Sequence, residues 1–336
     1  MSRTYSLDRR QAMLAMLGLG APLIAGCIES GTGTGSGAGV GAGSAMSPSR
    51  AQLIWGRFGY SDGRFNKPRA IAIDAKDQLY IVDMTARIQV FDTDGNFVRK
   101  WQTPASENGR PTGLSIDRQG RICVADTHYF RVLFYEPDGT LLEDRTIGGQ
   151  SGSAPGEFNF VTDVVEDSQG NYYVSEYGEF DRIQKFSPSG AFLMQWGSHG
   201  DAPGQFMRPQ SMAVDEQDRI WVADACNHRI QLFQVKEDRA ELVEIWGRQG
   251  SQPGELNYPY GLDLDSSGDS NGELIVCEFG NDRVQRFTRD GRSRGTWGRN
   301  GRAEGELHQP WAAVRDSRGR IHVLDSYNHR VQRFVF

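Results

Sequence analysis

An all-β fold is predicted for this chain: six four-stranded antiparallel blades set around an axis as a β-propeller. Three observations lead there. A strand-like segment of Arg, Ile or Val, usually Gln, any residue and an aromatic recurs with its first residue at Arg87, Arg131, Arg182, Arg229, Arg283 and Arg330. The spacings of 44, 51, 47, 54 and 47 residues fit one four-stranded blade each. A second marker, Trp-Gly or its near equivalent, keeps step at Trp55, Trp101, Ile147, Trp196, Trp246 and Trp297. Between them lie short apolar runs and polar turns, with no window long enough to compete as a globular helix.

Each unit reads in the same order. The inner strand follows a Pro-containing segment, as in Lys67-Pro68-Arg69, Arg208-Pro209-Gln210 and Tyr258-Pro259-Tyr260, and continues as an apolar run such as residues 212–214. The second strand closes on an acid: Asp83, Asp126, Glu176, Asp224, Glu278 and Asp325 in turn. The third opens at the repeated Arg, and the fourth ends at Trp-Gly. Gly turns join the strands at Asp94-Gly95, Asp138-Gly139, Gln169-Gly170, Asp290-Gly291 and Arg318-Gly319. The unit opening at Arg330 has no fourth strand after it, and residues 52–55 have no blade before them. Pairing the two closes the ring and removes an exposed sheet edge.

The repeats resemble NHL repeats, most clearly in Ala-Asp-Ala-Cys-Asn-His-Arg-Ile-Gln-Leu-Phe at residues 223–233 and again at 324–334. The resemblance runs from about Ala51 to the C-terminus and implies a six-bladed propeller. It leaves function open, because that family includes protein-binding, RNA-binding and enzymatic members and function belongs to a site rather than a fold.

Residues 1–27 read as an export signal: Arg3, Arg9 and Arg10 precede an apolar stretch that ends at Ile24-Ala25-Gly26-Cys27, which resembles a bacterial lipobox. That resemblance implies cleavage before Cys27 and its diacylation, and Arg9-Arg10 is similar to a twin-arginine signal. Residues 28–50 read as a flexible Gly/Ser-rich tether and residues 51–336 as the propeller. The expected location is the periplasm or cell surface, with the membrane reached through the lipid anchor alone. No run approaches the 18 or so apolar residues of a membrane span.

The chain carries −6, and setting aside the leader's three Arg and one Asp (+2) leaves −8. That balance argues against nucleic acid as a partner. Cys123, Cys226 and Cys277 have no CxxC spacing and read as small buried residues, with a Cys226–Cys277 disulfide open because both fall near the same end of adjacent blades. A monomer without cofactor or metal is expected.

The inner strand's start and the loop after the acid share one face, around the mouth of the central channel, where propellers usually bind ligands. The residues after each Pro equivalent look into the channel: Arg69, Thr112, Thr162, Gln210, Tyr260 and Trp311. Peptidylglycine amidating lyase is similar in fold, and the resemblance would put zinc-holding His at those positions. None stands there, and only Arg69 matches a basic residue of that site. The repeated acids and Arg read as blade parts that tie the intervening turn, since a group present in every blade is a poor catalytic singularity. His228 and His329, each in Asn-His-Arg, are expected to face their own blades.

The loops after the acid present His128, Tyr177, Phe279 and Tyr327. With Tyr260 and Trp311 they make an aromatic rim that has Arg69 and Gln210 as polar handles, suited to a peptide, carbohydrate or protein partner. The same rings have a second use, packing loop against loop. A propeller-type lyase or hydrolase with a metal or acid–base site near Arg69 and His128 is the alternative. The polar insertion from Asp265 to Glu273 has oxygen-bearing side chains but misses the EF-hand spacing.

Overall fold

Apolar runs that continue through whole strands demand cover on both faces, and the fold supplies it by standing each sheet between two others. In the computed structural model, which describes residues 50–265 and 272–336, Leu53–Trp55 (β1) comes first. Blade one follows as Pro68–Ile73, Leu79–Asp83, Arg87–Phe91 and Phe97–Gln102 (β2–β5). Blade two is Gly113–Ile116, Ile122–Asp126, Arg131–Tyr135 and Ile147–Gly148 (β6–β9), and blade three Phe160–Glu166, Tyr172–Tyr177, Arg182–Phe186 and Phe192–Trp196 (β10–β13). Blade four is Pro209–Val214, Arg219–Asp224, Arg229–Val235 and Ala240–Trp246 (β14–β17). Blade five is Pro259–Leu264, Glu273–Glu278, Arg283–Thr288 and Ser293–Trp297 (β18–β21). Ala313–Arg315, Ile321–Asp325 and Arg330–Phe334 (β22–β24) begin blade six, which β1 completes.

All six sheets are antiparallel with four strands, and the ring closes as the repeat register predicts: Leu53 pairs with Arg333, Ile54 with Gln332 and Trp55 with Val331. The second strands β3, β7 and β23 are buried along their whole length, whereas the outer strand β5 alternates exposed and half-buried residues towards its end. The only helical pieces among the described residues are single 3₁₀ turns, three of them (Thr127–Tyr129, Ala225–Asn227 and Ser326–Asn328) between an acid and its Arg.

The core consists of the contacts between neighbouring blades. Ala70, Tyr80, Val82 and Ile88 of blade one meet Leu114, Val124 and Leu133 of blade two. Ile71, Leu79, Ile81 and Phe91 meet Val314, Leu324 and Val331, so the first and last blades share a core like any other pair. The Trp of each Trp-Gly belongs to this seam. Trp55, Trp101 and Trp246 lie against the turn glycines Gly95, Gly139 and Gly291 of the next blade, where an added Cβ would come within 2.6–2.8 Å of the indole. These glycines also hold positive φ, so the turn and the seam make the same demand of one residue.

One open pairing is settled and one expectation is corrected. Cys277 is a free, buried thiol in β19, aimed into the apolar core between blades five and six, so it is not joined to Cys226. His228 and His329 do not serve their own blades. The Nδ1 of each accepts the N–H of the next blade's entry residue, Tyr258 at 3.1 Å and Lys67 at 3.0 Å respectively. Cys27, the export signal, the tether through residue 49 and insertion residues 266–271 lie outside the described residues.

Candidate functional site

The site is built where the six inner strands begin. In four blades the residue entering that strand adopts a left-handed backbone: Lys67 (φ 48°), Arg208 (φ 62°), Tyr258 (φ 48°) and Gln309 (φ 50°). Such a conformation is costly for a residue with a side chain and persists only when its surroundings hold it. Here a side chain from the preceding blade does so, because the N–H groups of Lys67 and Tyr258 bind His329 and His228, and those of Arg208 and Gln309 bind Asp181 at 2.9 Å and Asp282 at 2.6 Å. The latch fixes the backbone at the mouth and sets the side chains of Lys67 and Arg208 among the mouth aromatics.

Immediately after these residues, Arg69, Thr112, Thr162, Gln210, Tyr260 and Trp311 all line one axial cavity of about 250 Å³. The structure thus brings together the six channel positions read from the sequence. It divides the aromatic rim into two groups. Tyr260, Phe279 and Trp311 are buried and packed on each other, Tyr260 and Phe279 stacked at 4.5 Å between centroids and Trp311 edge-on to Tyr260 at 5.0 Å. They form the wall of the mouth, as loop-against-loop packing requires. Tyr177, Tyr327 and His128 are only half-buried and remain at the surface of the opening. Tyr177 and His128 both lean on Phe160, at 5.3 and 5.2 Å. Gln210 is buried and its Oε1 accepts from Arg208 Nε at 2.9 Å, so it is a positioning group for that Arg.

Cations cover these rings. Arg208 lies 4.6 Å from the Tyr177 ring and 5.0 Å from Tyr260, Lys67 4.3 Å from Tyr327 and Arg69 5.1 Å from Trp311. None of the three forms an ion pair among the described residues, and Arg69 makes no hydrogen bond there. Burial, reinforced by the nearby Arg208, lowers the Arg69 pKa, and burial together with Arg69 also lowers that of His128. Reading only the residue after each Pro missed Lys67 and Arg208; the residues before Pro in Lys-Pro-Arg and Arg-Pro-Gln were the available signal.

The repeated acids are committed elsewhere. Each pairs with the Arg of its own blade at 2.5–3.2 Å, from Glu278–Arg283 to Asp83–Arg87. Five of them also accept a backbone N–H of the incoming loop, as Asp224 does from Met207 at 2.7 Å and Asp325 from His308 at 2.7 Å. The Arg then gathers loop carbonyls, Arg229 binding those of Ala202 and Gln205 at 3.0 and 2.9 Å. The pair therefore ties the turn, as the repetition implied, and also the loop that leads into its blade.

Two acids the sequence reading passed over line the channel below the mouth. Asp163 accepts from Met212 N at 2.8 Å and Ser211 Oγ at 3.2 Å, a bridge from blade three to blade four. Asp263 leaves Oδ2 buried without a partner. Burial pushes each carboxyl up to about 7. Among the described residues no three His, Cys, Asp or Glu side chains are grouped to hold a metal ion.

Comparison with known proteins supports the repeat reading. The NHL repeat model matches residues 206–233 and 307–334. The chain is 42% identical over 145 residues to peptidylglycine alpha-amidating monooxygenase of Rattus norvegicus, covering 40% of this chain and 14% of that protein. It is 27% identical over 197 residues to NHL repeat-containing protein 3 of Homo sapiens, covering 55% of this chain and 56% of that protein. It thus spans little more than half of one relative and a small part of the other. A gluconolactonase structure from Xanthomonas campestris superposes with a TM-score of 0.60 at 14% identity, covering 86% of this chain and 97% of that one, a likeness of fold alone. The NHL repeat model thus matches two of the repeats, whose markers stay in step around the closed ring of a six-bladed β-propeller.

Proposed function

We propose that this propeller is an exported, lipid-anchored binding module that captures a protein or peptide partner at its channel mouth, the carbohydrate alternative being the weaker fit. One observation carries the reading: half-buried Tyr177, Tyr327 and His128 stand at the opening beside Arg69, Lys67 and Arg208, cations that form no ion pair among the described residues. Rings with a polar tip and unpaired guanidinium groups are the side chains that dominate binding energy at interfaces. The likeness to NHL repeat proteins supports a binding role in general terms. Export and anchoring are supported by the charged start, the apolar stretch and the lipobox-like ending at Cys27.

Tyr260 and Trp311 are unsuitable probes because removing them excavates the wall. A photo-crosslinking residue at Tyr177 or Tyr327, in cells of the native host, should trap one discrete partner that a crosslinker at Leu193 on the outer face does not. Equal patterns from both faces would refute capture at the mouth.

The alternative enzymatic reading is favoured by the 42% identical segment shared with the amidating monooxygenase and by His128 beside Arg69. Metal analysis of the full chain purified without chelators separates the two: one stoichiometric zinc or calcium lost in Asp263→Asn or His128→Ala would favour catalysis.

A further inference from the structure

We infer that the mouth receives a single carboxylate of a peptide partner between Arg69 and Arg208, while an adjacent apolar side chain of that partner sits on Phe58 and Tyr60. The inference rests on the binding reading above and specifies the chemistry of what binds.

The first part follows from unbalanced charge. A guanidinium taken partly out of water without an anion is unfavourable, and elsewhere in this fold the rule is obeyed: all six repeat Arg have their acid. Arg69 has neither an ion-pair partner nor a hydrogen-bond acceptor among the described residues; Arg208 donates to the Gln210 amide and has Asp181, which accepts its backbone N–H, as its nearby carboxylate. Asp163, on the same cavity wall, accepts from Val164, Ser211 and Met212 and forms no ion pair with Arg69. Arg69 and Arg208 approach the same pair of rings, Trp311 and Tyr260, from different blades. Two planar forks over one opening suit an oxyanion that accepts two bonds from each. The cavity of about 250 Å³ admits one such group, and the −8 carried by residues 28–336 repels extended polyanions. A lone carboxylate on an otherwise uncharged segment satisfies both constraints.

The second part follows from a break in the repeat. The loops entering five of the six blades each make one short bridge, which aligns Phe58 with Ser151, His199, Gln249 and Asn300. Two residues on, Tyr60 aligns with Ser153, Asp201, Ser251 and Arg302. Only the loop entering blade one carries aromatics at these two positions, and they are 53% and 66% exposed. The patch is continuous with the mouth: Phe58 packs on His329 at 5.0 Å, His329 holds the Lys67 backbone, and Lys67 covers Tyr327.

The test pans a random heptapeptide library, made with either free or amidated C-termini, against the full-length chain. Selected sequences should be enriched at least tenfold in Asp or Glu next to an apolar residue. Binders recovered only from the free-terminus pool would identify the terminal carboxylate as the source; Asp or Glu enrichment in both pools would identify acidic side chains. Arg69→Gln/Arg208→Gln should lose the acid enrichment while melting at or above the parent's temperature, because an unpaired buried charge has been removed. Phe58→Ser/Tyr60→Ser should keep the acid preference and lose the apolar neighbour. Binders with neither acid enrichment nor dependence on a free C-terminus, or binders retained undiminished by the double Arg variant, would overturn the inference, and a mouth crosslink obtained all the same would leave the binding role standing.

Discussion

Asp263 illustrates how a single side chain in the channel wall sets a pH dependence. Its pKa is raised to about 7 by burial, so the folded protein favours the protonated form. The resulting penalty is absent below about pH 4, grows as the pH rises and is complete above about 7. Asp263→Asn should therefore melt like the parent near pH 4 and above it at pH 8, by roughly 1–3 kcal/mol in stability, the cost of a buried unsatisfied polar group. A melting series from pH 4 to 8 checks this; parallel curves would show that the carboxyl is hydrated. The repeat Arg predict the opposite sign. Arg229→Ala leaves Asp224, fully buried, without its cation and should cost about 3–5 kcal/mol. Denaturant unfolding of the variant measures it.

Between elements, the latch from one blade to the next is the unit to perturb. Burial holds the His228 and His329 imidazoles below the usual His range, since each Nδ1 must stay neutral to accept an N–H. Their contribution is complete above about pH 6.5 and is lost as the pH falls from there through the lowered values. The double variant His228→Asn/His329→Asn, which offers an acceptor without titrating, should show a flatter fall in melting temperature between pH 7 and 5. At the seam, Gly139→Ala places a Cβ 2.8 Å from the Trp101 ring at φ +96° and should destabilise by at least about 1 kcal/mol, whereas Gly120→Ala, with open space around it, should cost less. The sequence made the blades legible because Arg, acid and Trp-Gly recur at blade spacing. The latch was not legible: His228 and Asp181 do the same work with different chemistry, and the partner is an N–H that no side-chain pattern records.

For the whole molecule, six seams share the load, and the count was readable because two independent markers agree on it. The mouth was readable only in outline. Position along the chain told which residues face the axis, but not that Tyr260, Phe279 and Trp311 would bury one another, since ring packing depends on distances between blades. Nor did it show that Arg69 would lack an acid, because neutralising groups come from loops distant in sequence. Trp55, which fills the closing seam against Phe65 and Phe91, tests the ring as a whole. Trp55→Ala should cost about 3 kcal/mol and make the unfolding of blades one and six precede the rest, as hydrogen exchange would show.

The three-residue strand that shuts the ring also decides how the molecule yields under tension. Because β1 runs antiparallel to β24, with Gln52 N bonded to Arg333 O at 2.7 Å, the first and last residues of the propeller lie side by side. A partner tugging the body away from an anchor near residue 50 would load these bonds singly, like a zipper, while the strands of the other blades bear force only after the ring has parted. Force spectroscopy between residues 50 and 336 should thus record a small early rupture followed by larger ones, making the seam the first element of the propeller to part under load.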